Sequence, residues 1–198
     1  MRDRAKRTGL GLLGRGLSGL AIMVVLAAAA LMVGQRVHAA SAPPEDDTPD
    51  AGVAIGKSGL PVPRFVSLKA GRVNVRVGPG EDYKVAWVFV KSALPVEVIA
   101  EFDTWRRVRD SDGQVGWVFH SLLSGKRTAV VTPWTKGDPL PIRAKAIAAA
   151  SVTAYLQPGV LASVDQCRGG WCDLSGKGFS GWIEQSKLWG VYPDEQID

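Results

Sequence analysis

From Val73 to Val77 the chain alternates strictly, with Val73, Val75 and Val77 apolar, Asn74 and Arg76 polar, and Arg72 continuing the polar set upstream. A period of two is that of a strand with one buried face. Four further runs, at residues 85–90, 96–100, 106–109 and 115–119, are rich in β-branched or aromatic residues. Turn formers separate them, Gly78-Pro79-Gly80 and Ser111-Asp112-Gly113 being the clearest.

The landmarks of this stretch recur downstream. Arg76 and Arg143 are 67 residues apart, Trp105 and Trp171 are 66 apart, and Trp117 and Trp182, Ser121 and Ser186, and Gly125 and Gly190 are each 65 apart. Gly116-Trp117-Val118 and Gly181-Trp182-Ile183 are the best-matched blocks. Such self-similarity defines two units of about 65 residues, each near the lower size at which one core folds alone. The Ala-rich stretch 144–150 has some helical character, but its counterpart in the first unit is a loop and it is read as one. Five short strands per unit and no convincing helix predict an all-β chain of two tandem small barrels, closed or half-closed so that few sheet edges stay open. The expected bounds are 64–125 and 126–192, with a tail at 193–198.

The N-terminal region has a different pattern. It is basic through Arg15, uncharged and apolar from Leu17 to Val33, and ends in the small-residue exit Val37-His38-Ala39. That is the layout of a secretory signal peptide. The 17-residue apolar run lies between a signal core and a membrane-spanning helix, so cleavage after Ala39 and retention as an anchor both stay open. Either outcome carries the remainder across a membrane and predicts an exported protein of the periplasm or cell envelope, membrane-attached only through an uncleaved leader. Residues 40–63, rich in Pro, Asp and Gly, are expected to be a disordered tether.

Charge alters the functional picture. The net +5 suggests a polyanion partner until the leader is set aside. Six of the 24 basic residues and one of the 19 acidic residues lie in residues 1–39, so 18 of each sign remain. Nucleic-acid binding needs a clustered basic surplus, and this balance excludes it as a partner class.

The run Val73-Asn74-Val75-Arg76-Val77-Gly78-Pro79-Gly80, then Tyr83-Lys84-Val85, Trp105 and Gly116-Trp117-Val118, resembles the bacterial Src-homology-3-like (SH3-like) domain family over roughly residues 65–125. Residues 127–192 look like a diverged copy that keeps Ile142-Arg143, Trp171 and the Gly-Trp-Ile block but lacks the Asn and the Gly-Pro-Gly turn. The resemblance implies a non-catalytic extracytoplasmic module that binds cell-wall (peptidoglycan) peptides or an envelope partner. A second reading is a structural spacer or assembly protein, with Trp87, Trp134 and Trp189 packing the two barrels into one block.

Cys167 and Cys172 flank Arg168-Gly169-Gly170-Trp171, a sequence suited to a hairpin turn, and in an oxidising compartment this predicts a disulfide. They stand at −4 and +1 from Trp171. Glu101 and Arg106 hold the same offsets from Trp105, which predicts a surface ion pair in the equivalent place of the first unit. His120 is the one histidine beyond the leader and aligns with Gln185. No nucleophile and base pattern surrounds it, so no catalytic residue, metal site or cofactor is expected. The candidate binding residues are Trp105 and Tyr83 as groove aromatics, and Asn74 and Arg76 as polar groups able either to meet a peptide carboxylate or to pin the following loop. Trp117, for which barrel packing is the stronger reading, completes the set.

Overall fold

Val73 and Val75 are fully buried and Asn74 between them is exposed, as their alternation requires. The computed structural model describes residues 54–198; the expected leader and the first part of the expected tether lie outside the described residues. A short hairpin, β1 (Ala54–Ile55) and β2 (Pro61–Val62), comes first. The first barrel follows as β3 (Arg64–Leu68), β4 (Val73–Arg76), β5 (Val85–Phe89), β6 (Pro95–Phe102), β7 (Trp105–Arg109), β8 (Val115–Phe119) and, after a 3₁₀ turn at His120–Leu122, β9 (Leu123–Ser124). The second comprises β10 (Thr128–Val131), β11 (Leu140–Arg143), β12 (Val152–Leu156), β13 (Leu161–Arg168), β14 (Trp171–Gly176), β15 (Phe179–Glu184), a 3₁₀ turn at Gln185–Lys187 and β16 (Leu188–Trp189).

The repeat holds strand for strand. One sheet runs β5-β4-β8-β7-β6-β3-β9 and the other β12-β11-β15-β14-β13-β10-β16. Even the irregularities coincide. Register shifts at Val98/Ala100 and Val164/Gln166 mark the long hairpins, and shifts at Val75/Arg76 and Ile142/Arg143 mark the first strand pairs. Residues 144–150 form no helix.

Each barrel has its own core. Val66, Leu68, Val73, Val75, Val96, Val98, Val108 and Val118 fill the first. Val131, Ile142, Leu174 and Ile183 centre the second. Each such side chain taken from water stabilises the fold by roughly 1.5–3 kcal/mol before entropy is counted. The two barrels cluster as one compact unit. Trp189 donates its indole N–H to the Pro95 carbonyl at 3.1 Å and meets Phe65 edge-on at 5.1 Å. The Tyr192 hydroxyl donates to Glu97 at 2.9 Å, and Thr128 donates to the Ala93 carbonyl at 2.8 Å. Burial, followed by the charge of the Glu97 carboxylate it binds, pushes the Tyr192 phenol above its ordinary range.

Of the three tryptophans expected between the barrels, only Trp189 lies there. Trp87 packs within the first barrel, edge-on to Phe89 at 6.1 Å, and Trp134 is exposed. Residues 54–62, expected to be part of a disordered tether, pair instead as β1 and β2 and lie over Glu101. The tail docks as well. Ile197 exchanges backbone hydrogen bonds with Cys167, and the Glu195 carboxylate pairs with Arg127 at 2.7 Å, below its ordinary pKa because Arg127 and the Tyr192 N–H outweigh the effect of burial.

Cys167 and Cys172 are cross-strand partners and form the disulfide. Glu101 and Arg106 occupy the same register in the first barrel, with a 3.3 Å ion pair. This pair is not on the surface as expected. The Glu101 side chain is 2% exposed, since it also accepts from the Ser58 N–H, the Ser58 hydroxyl and Arg64. Reduction of the disulfide, closing so short a loop, is expected to lower stability by about 2 kcal/mol. Hydrogen exchange should rise first at the Cys167 and Ile197 amides, which hold the tail; unchanged exchange there would count against this.

Candidate functional site

The alternation that buries Val73 and Val75 turns Arg72, Asn74 and Arg76 to the opposite face of β4. Pairing of β7 with β8 sets Trp105 directly across from Phe119, their rings edge to face at 5.5 Å. Together with Glu81 and Leu122 these residues line a groove of about 300 Å³. It has an aromatic floor and a rim bearing an amide, two guanidiniums and a carboxylate. Such a site offers stacking and hydrogen bonds to an extended polar chain and lacks the enclosed apolar volume that retains a compact hydrophobic ligand.

The structure brings three of the five candidate residues together here, Asn74, Arg76 and Trp105. Asn74 is exposed. Arg76 donates to the Tyr83 carbonyl at 2.6 Å, so it pins the loop while bordering the groove. Trp105 is 8% exposed, more deeply set than a loop-adjacent aromatic was expected to be, because Phe119 covers it across the hairpin. Tyr83 lies outside the groove lining. Its ring lies over Gly78, where a Cβ would overlap it, and remains about half exposed. Trp117 pairs with Arg76 and Arg107 on β8, half-buried and outside the lining.

Arg72, Glu81, Phe119 and Leu122 were not anticipated. Arg72 carried a signal, being two residues before Asn74 on the same face. Phe119 becomes visible only once the register of the β7–β8 hairpin is known.

A family model described as the bacterial SH3 domain matches residues 69–125 and again 136–190. The chain belongs to the bacterial SH3 domain family. The first match begins after β3 and the second after β10, although in both SH3 domains that strand belongs to the seven-stranded sheet. No curated protein sequence matches the chain. Solved structures that align with it include NlpC1 of Trichomonas vaginalis, at 13% identity and TM-score 0.30 over 74% of this chain and 51% of that one. NlpC2 of the same organism aligns at 13% identity and TM-score 0.31 over 69% and 51%. The chain thus spans about half the length of these two proteins.

The second SH3 domain has the equivalent groove in reduced form. Arg143, Trp171, Glu184 and Lys187 stand where the first has Arg76, Trp105, Phe119 and Leu122, and the space beside Arg143 shrinks to about 80 Å³, while Trp171 and Glu184 also border a separate cleft of about 510 Å³ with the tail. Arg143 keeps the structural half of the role, donating to the Ala150 carbonyl at 2.9 Å as Arg76 does to Tyr83. The aromatic pair is lost with Phe119, whose place a carboxylate holds.

Proposed function

We propose that this protein is a non-catalytic binding protein, exported to the periplasm or cell envelope, that recognises a short peptide of the cell wall or of an envelope partner in the groove of its first SH3 domain. One observation carries the reading. The two domains share topology, bulges and loop-pinning arginine, yet only the first joins an aromatic pair to an exposed amide in a groove of about 300 Å³. The leader pattern and the disulfide both suit an oxidising extracytoplasmic compartment.

Asn74 is the residue to change, since Trp105→Ala would empty part of the fold along with the groove. In the full chain, Asn74→Ala is expected to weaken muropeptide binding about fivefold, the worth of one hydrogen bond, at unchanged stability. Equal affinity in the variant, measured by titration calorimetry, would remove Asn74 from the site.

The spacer reading is favoured by the Trp189–Pro95 and Tyr192–Glu97 contacts, which tie the domains together. Its distinguishing result is a groove silent to every peptide tried in a chain that tumbles as one body.

A further inference from the structure

A larger cleft, about 750 Å³, lies where the N-terminal hairpin, the first SH3 domain and the C-terminal tail converge. It shares no lining residue with the groove. Three guanidiniums reach it, Arg64, Arg106 and Arg127, from three separate segments, and His120 stands exposed at its edge. Opposing them are two carboxylates, Glu101 on Arg64 and Arg106, and Glu195 on Arg127. The cluster therefore retains one unmatched positive charge. Pro61, Pro63, Phe65 and Leu123 supply apolar wall beside it.

The guanidiniums are also not fully used as donors. Arg64 spends its Nη atoms on Pro61 and Glu101, and Arg127 spends its own on Glu195 and Gly190. In both, Nε is buried and meets no acceptor among the described residues. A buried donor left unmet is costly, whereas a charge-assisted bond to a carboxylate is among the strongest available. Both side chains keep a partly exposed face, 17% and 22%, where they line the cleft. Arg127 already holds the Glu195 carboxylate through both oxygens, which shows the geometry it accepts.

We infer that this cleft is a second binding site, specific for a singly charged carboxylate at the end of a small apolar peptide, with Arg64 and Arg127 as its anchors and the proline and phenylalanine wall receiving the apolar part. One net positive charge matches a monocarboxylate better than a phosphate dianion.

The probe is acetyl-dialanine, with acetyl-dialanine amide, acetate and inorganic phosphate as the other arms, titrated into the full chain. The His120 ring protons report occupancy without any substitution. Acetyl-dialanine is expected to shift them saturably at millimolar concentration, the amide to bind at least about tenfold more weakly, and acetate to bind detectably but less well than the peptide acid. Leu60→Glu, which adds a carboxylate at an exposed rim position and leaves the core intact, should weaken the peptide acid by a similar factor. Equal binding of acid and amide, a stronger response to phosphate, or no His120 shift would each overturn the site. Since the groove lies on other residues, silence at His120 leaves the groove titration unaffected.

Discussion

Replacing Gly190 with alanine is expected to cost about 3 kcal/mol or more, among the largest losses any single methyl group can cause in this chain. Gly190 has φ +121°, where an L side chain is strained. Its Cβ would fall on the Thr128 carbonyl oxygen, 3.0 Å from the Ala129 Cα and 3.1 Å from Pro95. Two of these three neighbours are backbone and cannot swing aside, so strain adds to overlap. The Gly190 carbonyl also accepts from Arg127 at 2.9 Å, so any shift propagates to the tail. The repeat supplies the control. Gly125, at the equivalent position of the first domain, has nothing within 4 Å of its would-be Cβ, and Gly125→Ala should stay within about 0.5 kcal/mol of the parent. Urea denaturation of the pair tests the contrast, and comparable losses would contradict it.

Removal of the Glu101 carboxylate should be nearly as damaging. Burial alone would raise its pKa, but the Ser58 hydroxyl and N–H, then Arg64 and Arg106, outweigh it and bring the group from 4.5 down to about 2. A carboxylate depressed in the folded state stabilises it at every pH above the unfolded value. That contribution, at most about 3 kcal/mol because solvent beside the hairpin screens the pairs, is lost as the pH falls from about 5 to about 2. Glu101→Ala leaves Arg64 and Arg106, 17% and 11% exposed, without their shared partner, and a loss of about 3–5 kcal/mol is expected. It should also free the β1–β2 hairpin, making Lys57 a site of rapid tryptic cleavage. Glu101→Gln should flatten the acid limb of the stability profile. An acid limb as steep as the parent's would show that another group governs it. The second domain holds this register with a disulfide, which does not titrate, so at this cross-strand position only the first domain is acid-sensitive.

These two sites mark where the sequence was and was not informative. Alternation at Val73 and Val75 identified β4 because one face of that strand meets solvent; Val77, expected on the buried face, lies past the end of the strand and is 62% exposed. β3 gave no such signal: Phe65, Val66, Ser67 and Leu68 are all buried, one side in the barrel and the other beneath Trp189 and Tyr192. Spacings of 65–67 revealed the tandem, because bulges at equivalent positions keep the two sheets in step. The N-terminal hairpin read as tether because its composition is polar and Gly-rich; what orders it is a carboxylate 43 residues away. Asn74 and Arg76 were legible from their shared face, whereas Phe119 depended on cross-strand register and the burial of Trp105 on Phe119. Trp134 is exposed and Trp87 internal, a difference that composition does not encode.

The central claim is that the first SH3 domain binds peptide and the second does not. The most direct measurement is a titration of muropeptides into the isotopically labelled full chain, following all indole N–H signals and the Asn74 side-chain amide together. The account predicts saturable shifts at Asn74 and Trp105, with Trp171, the equivalent residue of the narrower groove, unmoved. Shifts at Trp171, or none at Trp105, would contradict it.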